Sequence, residues 1–120
     1  MVSEVHKIRS KKLQPLVQYI LYNRHDQDTE HSVTSYPNTN ICLGISNGHA
    51  LREVDDGFVG QAKEDKDLFV YTTGLYTSPH KFEVCKNWDE ICIDFHPLGY
   101  YHFFNTPSKP KIVDAAFVNV

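Results

Sequence analysis

The sequence lacks a long apolar run: nothing in its 120 residues approaches the roughly 20 consecutive apolar residues that a membrane-spanning helix requires. Its first residues, MVSEVHKIRSKK, carry charge with no apolar stretch behind it, so they do not read as a secretory signal. Cysteine is scarce. Cys42, Cys85 and Cys92 are an odd number without metal-type spacing, which fits a reducing cytosol better than a disulfide framework. A surplus of basic charge is also missing, since 12 Lys and Arg stand against 15 Asp and Glu for a formal charge of −3. Nucleic-acid binding draws most of its affinity from neutralised phosphates, so this stretch alone is a poor candidate for it. No repeat or low-complexity segment interrupts the chain.

Catalytic signatures are absent as well. There is no phosphate loop, nucleophile elbow or dinucleotide fingerprint. A metal cupin would need two histidines one residue apart on a strand, a carboxylate shortly after and a further histidine on a later strand, because the ion needs three or four converging ligands. None of the seven histidines stands in a His-x-His. His49, His80, His96 and His102 are scattered among a hairpin, a Ser-Pro turn and the segment after residue 95, while His6, His25 and His31 lie in polar stretches. No base is placed by sequence beside any of the three cysteines. Asp55-Asp56 and Glu64-Asp65 sit in a charged stretch where solvation is the ordinary state. The basic run from His6 to Lys12 reads as a solvated, frayed N-terminus in preference to a DNA contact. The sequence therefore yields no catalytic residue, no metal ligand and no cofactor.

What is present is enough apolar surface for one core, 41% of residues with 12% aromatic, arranged mainly as strands. A short helical turn is expected to end near Val17, followed by a strand to about His25. Residues 26–38 are polar and turn-rich. Ile41, Leu43 and Ile45 alternate as a strand, and Asn47-Gly48 predicts a two-residue hairpin into a second strand over Ala50–Val54. Residues 55–67 read as a charged loop, and strands resume over 68–73 and 74–77, interrupted by Gly74.

A later hairpin can be given a register. Pairing Phe82 with Phe95 and Val84 with Ile93 sets Cys85 opposite Cys92 and leaves Asn87-Trp88-Asp89-Glu90 as the connection. Phe82, Val84, Ile93 and Phe95 then share a face. Trp88 at the tip reads either as an exposed contact surface or as a ring folded back onto the sheet.

The most informative stretch is Ile91–Pro107, ICIDFHPLGYYHFFNTP. Ile91, Ile93 and Phe95 recur with period two along a strand. His96-Pro97-Leu98-Gly99 breaks the ladder, because Pro97 has no backbone donor and Gly99 has access to dihedrals closed to other residues. Tyr100, Phe103 and Phe104 then follow at helical spacing and Pro107 marks the stop. This segment resembles the end of the N-terminal, non-DNA-binding domain of AraC-type bacterial transcriptional regulators, in which a strand runs through a Pro-Gly-Gly-type corner into an aromatic pair and a proline. Leu98 stands where that family usually has glycine. KKLQPLVQYILYNRH, NTNICLGISNGHALRE and TTGLYTSPHKFEV fall upstream in the order the family shows, so the resemblance extends over about residues 13–114.

Short alternating segments in a chain of this size are most economically an all-β barrel or double-stranded β-helix with one or two helical turns. The resemblance implies the cupin-like barrel of AraC-type sensor domains. It divides the chain into a flexible segment over 1–12 and a regulatory domain over 13–120, with paired helix-turn-helix motifs expected after residue 120. The implied function is effector sensing, dimerisation or both in the bacterial cytoplasm, without catalysis. Its implied partners are a small-molecule effector and a second copy of the chain, with DNA reached only through the further region. Residues expected to face the interior, and so to line a pocket, are Leu43, Ile45, Ile93 and Phe95, with Tyr19, Tyr71 and His96 as polar ends. They are equally the expected core of a filled barrel. A standalone small-molecule-binding or metal-dependent cupin enzyme is the alternative, because cupin-like barrels host all of these functions.

Overall fold

The computed structural model describes residues 2–26, 31–36, 41–64, 68–73, 78–84 and 87–103, together with the strand 115–118. Among them are ten strands and one short helix: β1 Val2–Lys7, β2 Val17–His25, β3 His31–Ser35, β4 Ile41–Ser46, β5 His49–Val54, β6 Gly57–Ala62, β7 Phe69–Thr73, β8 His80–Val84, β9 Trp88–Phe95, α1 Gly99–Phe103 and β10 Ala115–Val118. The all-β expectation holds at this level. The ladders form two sheets, one of six strands in the order β1-β2-β9-β4-β7-β10 and one of four in the order β3-β8-β6-β5. Pairing is antiparallel throughout except between β6 and β8. Among the described residues no helix is long and apolar enough to cross a membrane.

Neither expected hairpin forms. Asn47-Gly48 joins two strands as anticipated, but β4 pairs with β7 and β9 while β5 pairs with β6, so the turn hands the chain from one sheet to the other. The Phe82–Phe95 register fails for the same reason: β8 pairs with β3 and β6, and β9 pairs with β2 and β4. Period two marks these strands correctly, yet it carries no information about which sheet each one joins. Cys85 lies outside the described residues, as do residues 74–77, Phe104 and Pro107.

Three segments expected as loop or tail are strands. Val2–Lys7, placed in a flexible segment over 1–12, pairs along β2 as the edge of the six-stranded sheet. His31–Ser35, within the polar stretch 26–38, pairs with β8. Gly57–Ala62, within the charged stretch 55–67, returns from β5 through the Asp55-Asp56 turn. In each case backbone pairing to a neighbour overrides weak side-chain propensity.

Two apolar clusters occupy the two faces of the six-stranded sheet. Between the sheets, Leu51, Phe58, Tyr71, Val84 and Trp88 are buried together, with Phe69 and Phe82 against them. On the outer face, Val17, Leu43 and Phe95 form a second cluster, covered by Ile8, Leu16 and Tyr100. The cover is built by the turn over 10–17, in which the Val17 N–H donates to the Leu13 carbonyl at 2.8 Å, and by α1.

The Pro97 corner is what brings that cover together. The His96 N–H donates to the Leu16 carbonyl at 3.0 Å, and the Gly99 N–H donates back to His96 O at 2.8 Å. Gly99 is buried, and a methyl group there would overlap the Leu16 carbonyl. Its φ is not positive, so close approach, rather than the special dihedral expected from sequence, is what calls for glycine. Beyond the corner, the Tyr100 and Phe103 rings each lie 5.8 Å from Phe95. Tyr100 meets Phe95 edge-on at 82°.

Candidate functional site

Strand pairing sets the inner face of the six-stranded sheet out in rungs, because side chains opposite one another in a ladder point the same way. One rung runs Asn23, Glu90, Ser46 and Phe69; the next Leu21, Cys92, Gly44 and Tyr71; the last Tyr19, Asp94, Cys42 and Thr73. An irregularity in β2 between Val17 and Tyr19 makes this possible. A regular strand would aim both residues to one side. The bulge sends Val17 to the outer cluster and Tyr19 inward beside Asp94.

Between these rungs and the four-stranded sheet lies a cavity of about 240 Å³. Its walls have different characters. Val33, Leu51, Phe82 and Val84 of the four-stranded sheet are apolar, and Trp88 adds an indole. The six-stranded sheet presents two carboxylates, two phenols, two thiols and an amide. Ser35 is the polar exception on the four-stranded side, and polar groups gathered mainly on one wall of an apolar cavity are the usual anatomy of a small-molecule site.

Glu90 is held from both sides. Asn23 Nδ2 donates to Glu90 Oε1 at 3.0 Å, and the Tyr71 hydroxyl donates to Oε2 at 2.7 Å. The Asn23 side-chain oxygen in turn accepts from Ser3 Oγ at 2.7 Å, which ties the edge strand β1 into the network. Gly44 supplies the room, since a methyl group there would overlap the Tyr71 ring. Burial pushes the Tyr71 hydroxyl well above its usual range, reinforced by Cys92 and Glu90, so it remains a donor.

Asp94 is different. It is 7% exposed, and burial raises its carboxyl to about pH 6, with no cation among the described residues to offset the desolvation. Beside it Tyr19 is raised by burial and then by the Asp94 charge. Cys92 is pushed well up, first by its side-chain hydrogen bond with Cys42 and then by burial, so it is held as a thiol. A carboxylate buried without a countercharge costs stability, and such groups concentrate at functional sites.

Of the residues expected to line a pocket, Tyr19 and Tyr71 do so. Leu43, Ile93 and Phe95 lie on the outer face in or against the second cluster, and Ile45 shares their side of its strand. His96 is half-buried at the corner and does not line the cavity; Pro97 is exposed there, while Gly99, Tyr100 and Phe103 contribute to the outer cover. The parity of β9 is therefore the reverse of the one expected: the Glu90, Cys92 and Asp94 set faces in, and the Ile91, Ile93 and Phe95 set faces out. Ile91 is 44% exposed. Trp88 is not at an exposed tip. It begins β9 at 1% exposed, and its indole N–H has no acceptor among the described residues.

Sequence reasoning missed Asn23, Cys42, Trp88, Glu90, Cys92 and Asp94. The signal available was the alternation Glu90-x-Cys92-x-Asp94 itself, which marks one face of β9 as surely as the isoleucines mark the other. A second hollow, about 360 Å³, lies at the β5–β6 turn beside Pro79, but its carboxylates, Glu53, Asp55 and Asp56, are solvent-exposed. Among the described residues, no three His, Cys, Asp or Glu side chains are grouped as metal ligands. In comparisons with known proteins, no family model, no curated protein and no solved structure matches this chain.

Proposed function

We propose that this chain is an effector-binding regulatory domain of the AraC type, cupin-like in architecture and non-catalytic, that takes a small molecule between its two sheets. The observation that carries the reading is the cavity of about 240 Å³ with Glu90 and Asp94 on one wall and apolar side chains on the other. The resemblance of Ile91–Pro107 to the AraC-type corner supports the regulatory role. Binding is favoured over catalysis by the state of the polar groups. Both Glu90 oxygens are already engaged, and Cys92, the buried thiol, is held protonated rather than activated.

In this reading the effector acts by preferring one arrangement of the domain and its attached DNA-binding region, because a ligand shifts an equilibrium only through differential affinity. Self-association would run along β1, a strand at the sheet edge with Val2 and Val5 both more than half exposed. The test is a small-molecule screen read by thermal unfolding, with Thr73→Phe as a variant whose larger side chain blocks the cavity. Saturable stabilisation of the parent that is lost in the variant is the expected result. Stabilisation that persists equally in the variant would place binding elsewhere and overturn the reading.

A further inference from the structure

The charge balance of the cavity goes further than the presence of a pocket. Its lining includes two carboxylates, Glu90 and Asp94, and among the described residues no lysine, arginine or histidine. Glu90 spends its acceptors on Asn23 and Tyr71. Asp94 faces Tyr19 across β2 and Cys42 across β4, with Cys92 and Glu90 along its own strand and Tyr71 on β7 beyond Gly44. None of these carries positive charge. Lys7 stands at the end of the same rung, opposite Tyr19, but it is exposed and does not line the cavity. The four-stranded sheet contributes no titratable group to the lining.

A negative group with no countercharge among the described residues, inside a partly aromatic cavity, matches one ligand chemistry best. The carboxylate supplies the ion-pair partner, and Tyr19, Tyr71 and Trp88 put aromatic rings, whose faces attract cations, in the lining. The opposite wall, Leu51, Phe82 and Val84, suits hydrocarbon. At ~30 Å³ for each water-sized group, the volume accommodates about eight such groups.

We propose that the cavity takes a small organic ammonium ion, an aryl- or alkylamine of about eight non-hydrogen atoms by that volume scale, with its charge at Asp94 and its hydrocarbon against Leu51, Phe82 and Val84. This rests on the ligand-binding reading above and narrows it. An anionic effector would meet two carboxylates at close range, and a neutral one would leave Asp94 uncompensated.

The experiment compares three near-isosteric probes, benzylamine, benzyl alcohol and benzoate, titrated into the intact chain at pH 7.5 and pH 5 and followed by calorimetry and by Trp88 fluorescence. The Asp94 carboxyl is followed in parallel by NMR. The expected result is saturable binding of benzylamine at pH 7.5, at least tenfold tighter than benzyl alcohol, with benzoate undetected. That preference should shrink at pH 5 and in Asp94→Asn, and bound amine should draw the Asp94 titration downward from about pH 6. The NMR measurement needs no variant, so it stands even where Asp94→Asn folds poorly. Benzyl alcohol or benzoate binding as well as the amine overturns the ammonium inference and leaves the ligand site in place. Benzylamine binding that leaves Asp94 unmoved also overturns it, and failure of all three probes removes both the ammonium inference and its support for the site.

Discussion

Tyr71 donates its hydroxyl proton to Glu90 Oε2 at 2.7 Å from a ring that fills the space a side chain at Gly44 would need. One aromatic residue thus bridges two rungs of the sheet and satisfies half of a buried carboxylate. Removing only the hydroxyl, in Tyr71→Phe, leaves Glu90 Oε2 without its donor in a site that water reaches poorly. The expected loss is about 1–3 kcal/mol, seen as a drop of several degrees in the unfolding midpoint. Unchanged stability would mean that the hydroxyl is not Glu90's working partner.

Gly44→Ala tests the same bridge from below. The added methyl group overlaps the Tyr71 ring, and the ring cannot move without loosening its bond to Glu90. Overpacking of this kind costs about 1–3 kcal/mol. Combining Gly44→Ala with Tyr71→Phe should cost less than the two single losses added, because both act on one contact. Strict additivity, measured by chemical denaturation of the four proteins, would sink the claim that Gly44 is there for Tyr71.

The individual strands were more legible than their partners. Period-two alternation locates β4 and β9 to within a few residues, strand-forming residue types and turn signals place β2, β5 and β7, and the turn before Val17 is where the sequence places it. β3 and β6 escaped because His31-Ser-Val-Thr-Ser has one strongly apolar residue and Gly57-Phe-Val-Gly-Gln-Ala carries two glycines. The inward face of β9 was misread for a physical reason. Both faces of the central sheet are covered, so the apolar set of Ile93 and Phe95 packs under Leu16 and Tyr100 while Glu90, Cys92 and Asp94 face the cavity. Alternation fixes which residues share a face; it does not say which face meets the other sheet. The bulge before Tyr19 has no signal in residue type at all.

Trp88 supplies a direct optical check of that reversal. It is the sole tryptophan of the chain and 1% exposed, packed with Leu51, Phe58 and Val84. Native fluorescence should be blue-shifted and nearly insensitive to acrylamide, and should shift red on unfolding. Trp88→Ala should lose about 3–5 kcal/mol, the range for emptying a large aromatic site. Red, easily quenched emission from the folded protein would return Trp88 to the loop tip.

Asp94 gives stability a pH dependence whose sign is opposite to that of an ion-paired carboxylate. Its carboxyl stands at about 6 in the folded chain against 3.8 when unperturbed. The folded state therefore holds the proton more tightly than the unfolded state. Below the lower value both states are protonated and the site costs nothing. As pH rises between the two values the unfolded chain ionises first, and stability falls until the penalty is complete above the folded value. At 1.36 kcal/mol per unit, the full penalty is about 2–3 kcal/mol. Asp94→Asn cannot ionise, so it should be more stable than the parent by up to that amount at pH 8, and the two should converge toward pH 4. Denaturant unfolding of both proteins across this range measures the difference directly. A variant less stable than the parent at pH 8 would mean that the ionised carboxylate has a partner which offsets its burial, and the cavity would then have no uncompensated charge for a ligand to meet.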